Sequence, residues 1–304
     1  MRWLILSSTV AMLHAQSGLE YTSPLGMRFH SLPDPKGVVA AAEKRAEADP
    51  KNAKALLDLE KAQVSVWQDR EAVATCGRVL ALTPDDAAVL TERGHRELPL
   101  REFKQARTDL MRSAALDSQR MDTFYHLGLA HYFLGEFSKA ADAFRRAVDL
   151  APSTDERINS TNWLYASLRR AKRDKEAAAA LAAITPDMTN TEPHTRFYLN
   201  LIRFFQGRMT ESDAIPPQPA AGSDDTEAEL AFDTVTYGIG NWHVYNGEPD
   251  KARRYFERIV KGRVWITWGF VGAEIELLRS SKNASVTPRT APDCAVACAG
   301  LFGL

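Results

Sequence analysis

The chain has 304 residues, 45% hydrophobic and 25% charged, enough apolar material to bury a sizeable core. Its 38 Lys and Arg against 39 Asp and Glu exclude the strong basic field that draws in nucleic acid or anionic lipid. Three cysteines, Cys76, Cys294 and Cys298, are too few for a disulfide framework and form no CxxC or haem-attachment pattern.

Residues 1–15, MRWLILSSTVAMLHA, place one Arg before an apolar run and a small residue at Ala15, the layout of a secretory signal peptide cut after Ala15. The run is too short to span a bilayer. A periplasmic or secreted chain is therefore expected. Residues 16–35, with Pro24, Pro33 and Pro35, read as an unstructured lead-in. An Ala-rich helix follows to Ala48 and ends at Asp49 and Pro50.

From Ala53 the phase is regular. Leu56 and Leu59 mark one helix and Ala72 and Val79 the next, and Pro84 ends the unit 34 residues after Pro50. The next copy carries Leu90, Gly94, Ala106 and Leu110. The clearest copy is Met121 to Pro152, MDTFYHLGLAHYFLGEFSKAADAFRRAVDLAP. Leu127, Gly128 and His131 share a face of its first helix, Gly135 breaks that helix, and Ala140, Phe144 and Ala147 stripe a second. Two helices crossing at about 9 Å need small residues at the crossing and large ones beside it.

After Pro152 the period loosens. Ser153 with Asp155 and Glu156 reads as a helix start. Trp163, Leu164 and Leu168 mark a first helix and Glu176 to Ala183 a second. A fifth pair begins near Thr191, with Phe197, Leu201 and Phe204 before Gly207. Its second helix is expected to be short, because Pro216, Pro217 and Pro219 interrupt it, and 214–226 reads as a flexible loop. The pattern returns at His243 to Val260, which matches His131 to Val148 at eight of eighteen positions without a gap. Val264 to Arg279 is expected to be one helix, with Glu274, Glu276 and Arg279 facing water. Residues 281–304 lack periodicity and read as a disordered tail.

The order aromatic, Leu, Gly, Ala, Phe, Ala, Pro at Phe124, Leu127, Gly128, Ala140, Phe144, Ala147 and Pro152 resembles a tetratricopeptide repeat, with His131 where that family usually has Tyr. The resemblance covers roughly residues 36 to 262. It implies an all-α, right-handed superhelical solenoid of antiparallel helix pairs over 36–280. The helix at 264–279 would be a C-terminal cap covering the last repeat. It also implies a concave groove lined by the first helix of each repeat. By register, Asp122, Tyr125, Leu129, Tyr132 and Phe133 would face inward, as would Thr234, Tyr237, Asn241, Val244 and Tyr245. The fifth pair would add His194, Phe197, Leu201, Phe204 and Phe205. Such an aromatic surface suits a protein or peptide segment as partner.

No phosphate loop, HExxH helix or GxSxG elbow occurs, so no enzyme, cofactor or metal is expected. Gly238 and Gly240 form a lone GxG whose simplest role is packing. His131 and His243 recur at one repeat position and read as packing replacements for Tyr. Cys76 falls on a core position; Cys294 and Cys298 either pair or remain free thiols. The expected function is an exported interaction scaffold. The alternative is a small-molecule binder or enzyme with a pocket near 194–245 covered by the 215–225 loop. Oligomeric state is left open.

Overall fold

A computed structural model describes residues 18–189, 192, 195–220 and 223–286. Helix α1 (Val38–Ala48) precedes six consecutive helix pairs. These are α2 (Ala53–Ser65) with α3 (Asp69–Leu82), α4 (Ala87–Glu97) with α5 (Phe103–Leu116), and α6 (Met121–Phe133) with α7 (Phe137–Leu150). They continue with α8 (Thr154–Arg170) and α9 (Asp174–Ala182), α10 (Arg196–Phe205) and α11 (Glu211–Ala214), and α12 (Thr226–Tyr245) and α13 (Pro249–Ile259). A last helix, α14, runs Trp268–Val286. The architecture is an all-α, tetratricopeptide-like solenoid.

The crossings follow from residue size. A Cβ on Gly128 would meet the Phe144 ring at 2.7 Å, one on Gly240 the Phe256 ring at 2.7 Å, and one on Gly94 the Leu110 side chain at 2.7 Å. Only a residue without a side chain lets the two helices of these three pairs approach so closely. The turns share a second rule. Each of the six pairs reverses through one residue in the left-handed region: Trp67, Arg101, Gly135, Lys172, Gly207 and Gly247. The first three stand 34 residues apart. Glycine adopts that backbone freely; Trp67, Arg101 and Lys172 do so at a conformational cost, which burial offsets for Trp67 and the Glu274 ion pair for Arg101. Asn52, Asp86, Ser153, Thr210 and Asp225 each accept a backbone amide at a helix start, satisfying donors the helix cannot.

The short fifth unit is confirmed in outline, since α11 has only four residues. The lead-in is corrected. Residues Leu19–Thr22 (β1) and Arg28–His30 (β2) form an antiparallel hairpin where 16–35 was expected to be unstructured. Gly26, in the left-handed region, makes the turn, and Phe29 is buried while Arg28 and His30 are exposed. The hairpin has a reason to form that its own sequence does not supply: Phe29 stacks on Trp265 at 5.5 Å and meets the edge of Phe270 at 5.4 Å. The first and last parts of the described chain are clasped together. Residues 1–17, which include the expected signal peptide, and 287–304, which include Cys294 and Cys298, lie outside the described residues, as does His194.

Candidate functional site

The residues expected on the groove are brought to one side of the first helices, and most of them are buried. Leu129, Tyr132, Phe133, Phe197, Leu201, Thr234, Tyr237 and Asn241 are closed off from solvent. Tyr132 and Tyr237, 1% and 3% exposed, sit with their hydroxyls 3.3 Å apart, Tyr237 donating to Tyr132. Trp163 from α8 packs against both, with ring centroids 5.3 Å from Tyr132 and 5.8 Å from Tyr237. Asn241 accepts a hydrogen bond from Arg170 at 2.9 Å. Tyr125 is half-buried with its edge toward Phe144, and Asp122 pairs with Arg120.

What covers the centre is α14. This corrects the expectation that the last helix only caps the final repeat, and that Glu274, Glu276 and Arg279 face water. Glu274 is 1% exposed and lies 2.7 Å from Arg101 at the α4–α5 turn. Glu276, 7% exposed, pairs with Arg170 at the end of α8. Arg279 donates to the Phe133 carbonyl at 3.0 Å. The helix is therefore pinned to three different repeats. Gly269 and Gly272 make the approach possible, because a Cβ on Gly272 would sit 2.5 Å from the Tyr237 ring and one on Gly269 2.3 Å from the Asp233 carbonyl oxygen. At its start Trp268 packs on the stacked imidazoles of His95 and His126, whose ring centroids are 4.0 Å apart. Burial keeps both imidazoles below their usual range, His126 at about 4. The signal for this arrangement was Gly269 and Gly272, three residues apart on one face beside Trp268.

The remaining aromatic residues make a run in which Phe204 and Phe205 of α10 and Trp242 and Tyr245 of α12 are half-buried and Tyr165 of α8 is buried. Trp242 meets Phe204 at 5.4 Å, Phe204 meets Phe205 at 5.6 Å, Phe205 meets Tyr165 at 4.6 Å, and Tyr165 meets Tyr245 at 6.1 Å. Arg169 lies over the Tyr245 ring at 4.6 Å. Val244 is half-buried beside them.

The two recurring histidines are turn clamps. His131 Nδ1 lies 2.6 Å from Glu136 and His243 Nδ1 2.5 Å from Glu248, each reaching across the glycine that reverses the chain. His243 also meets Glu211 of α11 at 3.0 Å through Nε2. Sequence reasoning placed the histidines correctly in the packing and missed their partners, although Gly-Glu follows at the same distance in both copies. Gly238 faces Leu201 and Gly240 faces Phe256, so both are packing positions. Cys76 is fully buried, and burial pushes its thiol up to about 12, far from a reactive thiolate. No group of three or more His, Cys, Asp or Glu that could hold a metal occurs among the described residues, and no helix there is long and apolar enough to cross a membrane.

Residues 122–154, the unit of α6 and α7, match the tetratricopeptide repeat family model. A peroxisomal targeting signal receptor of Komagataella phaffii is 29% identical over 147 residues, 46% of this chain and 25% of the receptor. The chain thus spans about a quarter of the length of the curated relatives it matches. Among solved structures, MamA is similar at 24% identity over 48% of this chain and 83% of its own, with a TM-score of 0.44. YrrB, a tetratricopeptide repeat protein with an unusual peptide-binding site, is similar at 17% identity, covering 80% of this chain and 99% of its own, with a TM-score of 0.44. A tetratricopeptide repeat protein of Parabacteroides merdae is similar at 14% identity over 79% and 90%, with a TM-score of 0.48.

Proposed function

We propose that this chain is a non-enzymatic interaction scaffold that takes a peptide or protein segment on its aromatic rim, and that it acts outside the cytoplasm after cleavage at Ala15. The observation that carries the docking reading is the run of half-buried rings Trp242, Phe204, Phe205 and Tyr245, packed on the buried Tyr165, on helix ends left free by α14. Aromatic rings offer much contact area at little entropic cost, and Arg169 supplies a charged edge to the same patch. The match of 122–154 to a repeat used in recognition, and the likeness to a receptor that is named for a targeting signal, support a polypeptide partner. Of the residues first expected to line a groove, Phe204, Phe205 and Tyr245 keep that role in this reading. Tyr132, Phe133 and Tyr237 serve as the support beneath α14.

The test is crosslinking in the source cell to identify the partner, followed by capture with variants. Phe205→Ala or Tyr245→Ala should weaken capture by about 1–2 kcal/mol, the scale of an interface hot spot, with the melting temperature little changed. Capture that survives both changes sinks the rim as the docking face. Export is tested separately: N-terminal sequencing of the native protein should begin at Gln16, and an intact Met1 would refute it.

A further inference from the structure

Beneath the Pro-rich segment that follows α11, a cavity of about 280 Å³ opens between α12 and α13. At ~30 Å³ per water-sized group, it has room for a molecule of roughly ten non-hydrogen atoms. Its walls are of opposite character. Asp233 and Glu229 line one part, and Arg258, Lys261 and Arg263 another, with Phe232 between. Gln218 and Ser223 are drawn over it by hydrogen bonds from Arg258 and Arg263.

Two independent features mark this as a place for a ligand. Asp233 is 1% exposed, and although Thr267 donates to its Oδ2 at 2.7 Å, its Oδ1 is buried without a hydrogen-bond partner among the described residues. Leaving such an atom unsatisfied costs free energy that a ligand donor would recover. In addition, none of the side chains of Arg258, Lys261 and Arg263 forms an ion pair with a carboxylate among the described residues. Glu229 accepts from the backbone amides of Arg263 and Val264, which holds its carboxyl group between Asp233 and the segment that carries Lys261 and Arg263.

We propose that this cavity binds a small zwitterion of the free α-amino acid class, its ammonium on Asp233 and Glu229 and its carboxylate on the rim formed by Arg258, Lys261 and Arg263. A ligand with only one charge would satisfy only one wall. The cavity size admits an amino acid and excludes a folded partner, so this is a function distinct from the aromatic rim. Burial, and secondarily Glu229, raise Asp233 to about 8. Near neutrality its carboxyl therefore holds a proton, which a ligand ammonium beside it displaces.

The experiment uses the whole mature chain and the twenty free amino acids, each also as its Nα-acetyl and its amide derivative. At least one free amino acid at about 10 mM should raise the melting temperature, while both of its derivatives should bind about tenfold more weakly or worse. Calorimetry in buffers of different ionisation enthalpy should detect proton release on binding. Asp233→Asn is nearly isosteric with the protonated acid and still accepts from Thr267, so it should fold; it should bind at least about tenfold more weakly and release no proton. Lys261→Ala, at an exposed position, should weaken the free amino acid but not its amide. The proposal is overturned if none of the twenty binds, if the acetyl and amide forms bind as well as the parent, or if Asp233→Asn binds as tightly as the unaltered chain. Capture of a polypeptide on the rim is measured with different variants, so either result leaves the other standing.

Discussion

The α6–α7 and α12–α13 units start from nearly the same sequence and end in different surroundings. Both cross at a glycine under a phenylalanine, and both clamp their turn with a His–Glu contact. The first is enclosed by α5 and α8, repeats like itself. The second has only the four-residue α11 and the short α10 before it and α14 after it. In the first unit both flanks are covered by neighbours of the same kind, and α14 lies only over part of α6. In the second, the missing neighbour leaves room for a clasp by α14, a half-buried aromatic rim and a polar cavity. A repeat's local pattern sets its hairpin, and the quality of the adjoining repeats sets what its faces are used for.

The largest expected effect tests the shared part. Phe144→Ala and Phe256→Ala should each cost about 3–5 kcal/mol in urea denaturation, because both rings are buried against a glycine that cannot fill the space. A cost for Phe256 below about 1 kcal/mol would mean that the second unit is looser than its sequence twin and the comparison fails.

The clasp is tested next. Gly272→Val pushes a side chain into the Tyr237 ring and should destabilise by about 1–3 kcal/mol through overpacking. An unchanged melting temperature would place α14 off the concave face.

A pH-linked difference also separates the units. Asp233 lies at the repeat position occupied by Met121 in the first unit, and it is held protonated up to about 8, chiefly by burial. In the unfolded chain it ionises near its ordinary value of 3.8. Between these values the folded state binds more protons than the unfolded one, so stability falls as pH rises through that window and levels off above it. Glu97, raised to about 8, and Asp69, raised to about 7, both mainly by burial, act in the same direction. Each group contributes at most about 1.4 kcal/mol per pH unit. Urea midpoints should therefore drop between pH 5 and pH 8, and Asp233→Asn should flatten the drop. A midpoint that rises over this range contradicts the assignment.

The smallest effect is expected at the second of the two clamps. Glu136→Ala should cost about 1–3 kcal/mol, the net worth of its two hydrogen bonds, to His131 and Arg107. Glu248→Ala should cost less, since Glu211 still faces His243 and Glu248 is the more exposed partner. Equal losses in thermal melts would show that the extra contact to α11 has no energetic weight.

Much of the solenoid was legible in the chain itself. Gly128 with Phe144, Gly240 with Phe256, and the prolines at 34-residue spacing encode helix pairs through contacts within one unit, and such contacts repeat as letters repeat. The shortness of α11 was equally legible, because Pro216, Pro217 and Pro219 cannot continue a helix. The site was less so. The inward register of Tyr132 and Tyr237 could be read, but not that another part of the same chain would lie over them.

That decision belongs to tertiary structure, and the reason is separation along the chain. Arg101 and Glu274 are 173 positions apart, Phe133 and Arg279 146. No local periodicity links residues at such distances, so two glutamates that look solvent-facing on their own helix become buried counter-ions once arginines from other repeats reach them. The hairpin at 19–30 is the same case, since Phe29 has a reason to be apolar only when Trp265 and Phe270 arrive. Sequence by itself determined the repeating unit, which is stabilised by near neighbours; the fold alone determined which surfaces stayed open, because that depends on what the ends of the chain cover.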